Sequence, residues 1–248
     1  MSRWKAAGIH LLISCGLGVI VGALLFGVWY PPPYFHAAGA DVLVVLLVGV
    51  DLTLGPLLTL VVFKSGKKGL KLDLALIAIM QTTALIYGMS VVLRSRPVFL
   101  VAAVDRFVLV SASEIDDADL SKGSKPEFQS LSWTGPRLAG AQIPGTWQER
   151  NKVLFSATAG KDIDEYPQYY VDYSAAAEGL LKKAKPLDQL PDRDPQADKR
   201  LATAIRDSGQ PEAQLVWVPL VARKESLVML LDRDSGKPLR AVELNPWR

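Results

Sequence analysis

Few side chains in this chain are placed to do chemistry, and the most unusual of them interrupts an apolar run. In VVLLVGVDLTLGPLLTLVVF, residues 44–63, Asp51 is the one ionisable group in a segment long enough to cross a bilayer. A carboxyl near the midplane costs about 2.5–3.5 kcal/mol on insertion scales, so it must face other helices or a polar cavity. Pro56 lacks the amide that would bond the Leu52 carbonyl, which leaves an acceptor one residue from the acid. Asp51, Thr53, Gly55 and Pro56 therefore read as one polar, deformable patch. Gln81 and Thr82 fall at similar depth in the third apolar run and are the expected internal partners of Asp51, with contact to another protein's helix as the alternative. Acid–base catalysis of the intramembrane aspartyl protease kind needs two carboxyls sharing a site. The other acids near the apolar runs, Asp41 and Asp73, fall at opposite interfaces, and no histidine is expected at the depth of Asp51. Ion transport would need a relay that one carboxyl does not supply.

The rest of the chain offers less. Its two histidines are His10, at the start of the first apolar run, and His36, in the loop after it; residues 97–248 contain neither His nor Cys. That removes Ser-His-Asp and Cys-His nucleophilic systems and any ordinary zinc site from the water-soluble part. P-loop, GxGxxG and GxSxG patterns are missing. DRDSGKPLRAVE, from Asp232 to Glu243, has acids at positions 1, 3 and 12 of a calcium loop, but its glycine is at 5 rather than 6, and a polar hairpin turn is the expectation. DDAD, Asp116 to Asp119, reads as a solvated loop. The expectation is a protein without catalytic residues, cofactor or metal; an enzyme would have to work through carboxylates alone.

These residues are carried by two unlike parts. Residues 8–30, 42–63 and 72–93 are apolar runs of 22 or 23 residues, each sufficient for a transmembrane helix. Lys and Arg in the short flanks lie on one side: Arg3 and Lys5 precede the first span and Lys64, Lys67, Lys68 and Lys71 fill the loop between the second and third, whereas PPPYFHAAGAD has none. The positive-inside rule then puts the amino terminus and the 64–71 loop in the cytoplasm and sends residues 97–248 to the far side, the periplasm of a two-membrane bacterium. A cleaved signal ending near Ala38–Ala40 is the alternative for the first span. Its long apolar core, closed by Trp29 and Tyr30, favours an uncleaved anchor. Residues 94–248 hold 22 basic and 22 acidic groups, so the net charge of +3 belongs to the membrane part, and the basic balance gives no reason to expect nucleic acid. In the first span, Leu11, Cys15, Gly18, Gly22 and Phe26 share a helical stripe on which Gly18 and Gly22 form a GxxxG packing signal. Cys15 is the single cysteine, so residues 97–248 must stand on an apolar core without a disulfide.

Residues 1–96 thus read as a three-helix transmembrane region and 97–248 as an α+β periplasmic domain. RPVFLVAAVDRFVLVSASE reads as one long strand or two, broken at Asp105-Arg106; WTGPRLAGAQIPGTW reads as loop. Helices are expected at 148–159, at 175–185 with Ser174 as cap, and at 195–207 with Asp194 as cap, Pro195 at its first position and Gly209 at its end. LVWVPLVA, SLVMLLD and PLRAVEL read as strands, the last two a hairpin. In YPQYYVDY, Tyr166, Tyr169, Tyr170 and Tyr173 are either core and edge packing or a partner surface, since tyrosine is common in interfaces.

Several stretches carry a family resemblance. MSRWKAAGIHLLIS, VWYPPPYF, GVDLTLGPLLTLVVFKSGKKGLKLDLALIA, RPVFLVAAVDRFVLVSASEI and the terminal Pro246-Trp247 resemble the TfpX/TfpZ family of type IV pilin accessory proteins, most closely over residues 1–115. The resemblance implies a bacterial inner-membrane protein that assists the assembly, stability or surface display of a cognate type IV pilin in a chaperone-like way. Its partners would be membrane lipid and the pilin, whose hydrophobic helix carries a carboxyl near its amino terminus and whose head lies outside. The residues themselves leave open a second reading, a membrane-tethered sensor or inhibitor that recognises another envelope protein or a small ligand.

Overall fold

The computed structural model describes residues 2–191 and 194–247. Three helices among them are long and apolar enough to cross a membrane. The first, α1 (Arg3–Leu24), starts on Ser2, whose hydroxyl accepts from the Lys5 amide, and continues as a π turn through Trp29. A short α2 (Tyr34–Ala37) leads into α3 (Ala40–Val62), and α4 (Leu70–Ser95) completes the set. Each helix begins a few residues before its apolar run, because helical hydrogen bonding continues into the polar flank where side-chain hydropathy has stopped. Pro56 sits inside α3 without ending it.

The central helix is α3, with α1 and α4 packed on it side by side. The buried stripe of α1 is Ala6, Ser14, Val21 and Leu25, one position away from the stripe expected from sequence; Leu11, Cys15 and Phe26 are exposed. The expected GxxxG contact is accordingly not made. A Cβ on Gly18 would lie 3.6 Å from Val48 Cγ1, an ordinary contact, and one on Gly22 would meet nothing within 4 Å. The close approaches are at Gly88, where Leu47 fills the space a side chain would need, and at Gly55, which faces Gln81.

Eight strands among the described residues form one mixed sheet: β1 (Pro97–Ala103), β2 (Arg106–Ser111), β3 (Arg137–Ala141), β4 (Tyr170–Val171), β5 (Lys185–Pro186), β6 (Leu215–Val221), β7 (Leu227–Asp232) and β8 (Pro238–Val242). Their order is β4-β3-β1-β2-β6-β7-β8, with β5 beside β6. The turn at Asp105 makes β1 and β2 an antiparallel hairpin. β3 lies parallel to β1, and β6 parallel to β2, although only Phe107 and Val108 pair with it. The strand β3 occupies a stretch expected to be loop. RLAGA has no β-branched residue and holds Gly140, so its propensity is poor; it is a strand because it is buried beside β1, and Gly140 lets Ala176 approach closely.

Both faces of the sheet are covered, which is why every residue of β1 is buried. One face, with Leu100, Ala102, Phe107, Leu109, Val218 and Met229, shares a core with the domain-side ends of the spans (Leu25, Trp29, Tyr30, Val92) and with α7 (Tyr173–Leu181). The other face lies under α8 (Pro195–Ser208) at one end and, at the other, under turns around α5 (Asp117–Leu120) and α6 (Trp147–Thr158). The sheet therefore rests on the helix ends rather than hanging from a tether. β1 starts two residues after α4 stops, the Tyr30 hydroxyl donates to the Val92 carbonyl across 2.8 Å, and Arg96, 5% exposed, bonds the carbonyls of Ser132 (3.1 Å) and Leu93 (2.6 Å).

The caps follow the sequence in one helix and not in the other. Asp194 caps α8 by accepting from the Gln196 and Ala197 amides at 2.8 and 2.7 Å, and Gly209 closes it at φ 71°. α7 starts at Tyr173 instead of 175, so Asp172 and not Ser174 is its N-cap, and no side chain bonds the free amides.

Candidate functional site

At the end of the spans far from the sheet, α1 and α4 are separated by a cavity of about 420 Å³ whose floor is α3. Its walls are apolar for the most part: Ala6, Ile9, Ile13 and Leu17 from α1, Leu74, Ala78 and Leu85 from α4. Set into them are His10, Ser14, Asp51, Thr59, Gln81 and Thr82, so all three helices bring polar groups to one space. The cause is the i, i+4 spacing of Ala6, His10 and Ser14, which turns a polar stripe of α1 toward α3.

Asp51 is central. It lines this cavity, a small void beside Leu47 and Val48, and a groove between α3 and α4 along Leu47, Val50, Ala84 and Tyr87. Its Oδ1 is buried and has no hydrogen-bond partner among the described residues. The bond expected from Gln81 or Thr82 is not formed; the Gln81 amide lies one helical turn away, against Gly55, in the space that a Cβ there would take. Gly55 belongs to the patch for that reason. Thr53 does not; it is exposed on the opposite side, and its hydroxyl donates back to the Gly49 carbonyl at 2.6 Å.

His10 was not expected here. Its Nδ1 is 2.6 Å from Thr59 Oγ1, and its Nε2 would lie 2.8 Å from a Cβ on Gly55, one helical turn from Asp51. Asp51 thus shares its cavity with a histidine, which stands one to two helical turns further from the sheet than the acid. His10 and Ser14, four residues apart in an apolar helix, were the available signal. The arrangement can do two things chemically. It offers an unspent acceptor to any donor that enters, and it offers adaptable hydroxyl, amide and imidazole groups around it.

The four tyrosines are packed to different degrees, Tyr170 buried and Tyr166, Tyr169 and Tyr173 half-buried. Tyr170 is wholly buried against Phe99 and Phe128, its hydroxyl donating to the Asp164 carbonyl, and burial raises its pKa well above the ordinary value. Tyr173 stacks on Phe107 and donates to the Gly236 carbonyl, and burial pushes it up to about 12. Tyr166 shares a hydrogen bond with Ser156, and Tyr169 packs against the outer core. Tyr170 is thus a core residue, while Tyr166, Tyr169 and Tyr173 pack on one side and keep the other at the surface. The acidic segments are also structural. Lys161 Nζ bridges Asp116 (2.6 Å) and Asp119 (2.8 Å), and Asp232 Oδ1 accepts from the amide and hydroxyl of Ser235 inside the β7–β8 turn.

Residues 1–39 match the family described as fimbrial assembly protein FimB. Over 247 residues, 98% of this chain and 95% of the relative, the sequence is 32% identical to a fimbrial assembly protein of serogroup I from Dichelobacter nodosus, and a serogroup E1 protein of the same organism is as similar over the same extent. A third Dichelobacter nodosus protein, of serogroups C1 and C2, is 38% identical over 114 residues, 45% of this chain and 86% of the relative. No solved structure matches the chain.

Proposed function

The chain belongs to the fimbrial assembly protein family, and on that premise we propose that it is an inner-membrane accessory protein that holds a type IV pilin before assembly. The α1–α3–α4 bundle takes the hydrophobic helix of the pilin, and the sheet domain, on the periplasmic side, stands beside its head. The role is chaperone-like and needs no bond-making chemistry. One observation carries this reading: the cavity between α1 and α4, with the Asp51 acceptor unspent inside it. Two helices kept apart by a mainly apolar space with polar groups set into it suit a third that brings a donor, since helices in lipid associate through close packing and interhelical hydrogen bonds.

Photocrosslinkers at Ile13 and Ala78, on the two walls, and at Val61, on the exposed side of α3, test it in cells making the cognate pilin. Pilin adducts are expected from the first two positions and not from the third. Adducts from all three, or from none while the variants still support piliation, would remove the groove from the account.

A further inference from the structure

A second cavity lies at the other end of the spans, where α3 emerges beneath the domain. It encloses about 730 Å³ and is mainly polar. Asp41, in the first turn of α3, and His36 form its membrane side; Lys224 and Glu225 of the β6–β7 loop, Arg200 of α8, and Glu243 just after β8 form the rest. The loop is held down by the Lys224 and Glu225 amides, both donating to the Ala37 carbonyl, so the cavity is fixed at the level where the helix leaves the hydrocarbon.

The pairing of charges in it is incomplete in a particular way. Lys224 Nζ at 2.6 Å and His36 Nδ1 at 3.4 Å both approach Asp41 Oδ2, while Asp41 Oδ1 is buried with no partner among the described residues. The carboxylates of Glu225 and Glu243 hold no hydrogen bond or ion pair among the described residues. Arg200 spends one N–H on the Glu243 carbonyl at 2.9 Å and keeps the rest of its fork. A simple anion would meet three carboxylates, and a simple cation would leave the guanidinium unspent. A ligand with an ammonium and a phosphodiester a few bonds apart satisfies both.

We propose that this cavity binds the headgroup of an aminophospholipid, the ammonium on Glu225 and Glu243 and the phosphodiester on Arg200, beside the Lys224–Asp41 pair. The acyl chains then run along α3 below Asp41, where Val45 is 71% exposed one turn down, and Trp247, 57% exposed at the rim, sits at the interfacial level that suits an indole.

The test is native mass spectrometry of the full chain released from nanodiscs of equal parts phosphatidylethanolamine, phosphatidylcholine and phosphatidylglycerol. The protein should retain phosphatidylethanolamine over phosphatidylcholine by about tenfold, because the choline group has no N–H to give. Glu225→Gln/Glu243→Gln should bring that ratio close to one, and Arg200→Gln should lower retention of all three lipids. Equal retention by the unaltered protein, a preference for phosphatidylglycerol, or an undiminished ratio in the double variant would overturn the proposal. Soluble glycerophosphoethanolamine should displace little lipid at millimolar concentration; full displacement would mean a free headgroup site and not a lipid site. Melting curves in the same nanodiscs check folding, and if the double variant melts early, Glu243→Gln alone is read in its place, with an undiminished ratio again counting against the proposal.

Discussion

Polar groups under cover are treated differently in the two parts of this molecule. In the domain, Trp217 is 1% exposed and its indole N–H donates to the Pro186 carbonyl at 3.0 Å, Tyr170 bonds the Asp164 carbonyl, and Arg96 bonds two carbonyls where helix meets sheet. In the spans, Gln81 is pressed against Gly55 and Asp51 keeps an oxygen unspent. Both buried side-chain oxygens without partners among the described residues, those of Asp41 and Asp51, belong to α3. A domain that folds in water must settle its own polar accounts, since each unpaired buried group costs about 1–3 kcal/mol. The contrast separates a half whose buried side-chain oxygens are partnered among the described residues from a helix that keeps two acceptors open.

The contrast can be tested from either side, starting where the effect is largest. Trp217→Ala, in the domain, should cost about 3–5 kcal/mol in urea unfolding followed by near-ultraviolet circular dichroism, and a loss below 1 kcal/mol would mean that this core is not tightly packed. Asp51→Leu should act in the opposite sense, easing insertion by about 2.5–3.5 kcal/mol while abolishing the pilin crosslinks from Ile13 and Ala78. Asp51→Asn, which keeps the hydrogen-bonding shape without the charge, should retain the crosslinks; loss with Asn as with Leu would make the charge the essential feature.

Third comes a pH effect confined to the domain. Burial, with Asp162 and Glu114 nearby, pushes the Asp164 carboxyl up to about 6, and burial together with Asp164 pushes Glu165 up to about 7. The folded state therefore holds these protons more tightly than the unfolded chain. The resulting stability is complete below the unfolded pKa near 4 and is lost as pH rises through 6 to 7. For Asp164, which is buried, the loss between pH 4 and pH 8 should be about 2–3 kcal/mol. Asp164→Asn should remove most of that slope, and an unchanged slope would place its origin elsewhere. Smallest is a comparison of glycines within the spans. Gly88→Ala drives a methyl into the buried Leu47 side chain and should cost about 1–3 kcal/mol, whereas Gly22→Ala, facing open space, should stay within about 0.5 kcal/mol. Detergent-resistant unfolding of the two variants decides it, and equal costs would restore the GxxxG reading of α1.

Much of this could be read from the sequence, and the failures share a cause. The three spans, the β7–β8 hairpin and the capped helix α8 were legible because each is written in local composition: unbroken apolar length, a polar turn between β-rich runs, an Asp-Pro start and a glycine stop. Asp51 was legible as costly, and the cavity residues Gln81 and Thr82 as lying near it. What lay beyond reach was which face each helix turns inward. A rotation of one position along α1 separates the stripe of Gly18 and Gly22 from that of Ala6, His10 and Ser14, and in an all-apolar helix hydropathy hardly distinguishes them. β3 was missed for a related reason. RLAGA is strand because of what covers it, and local propensity has nothing to say about that.

The bond from Tyr30 to Val92 has a mechanical consequence. It pins α1 to α4 at the domain end, while the cavity keeps the same two helices apart at the other. From Tyr30 back to His10 is about 30 Å of helix, so a tilt of about 5° at the pin carries His10 about 2.6 Å sideways. The pair is a set of tongs with its rivet beneath the sheet. The sheet sits directly on that rivet, so the pivot of the jaws lies in the core that helix ends and sheet share.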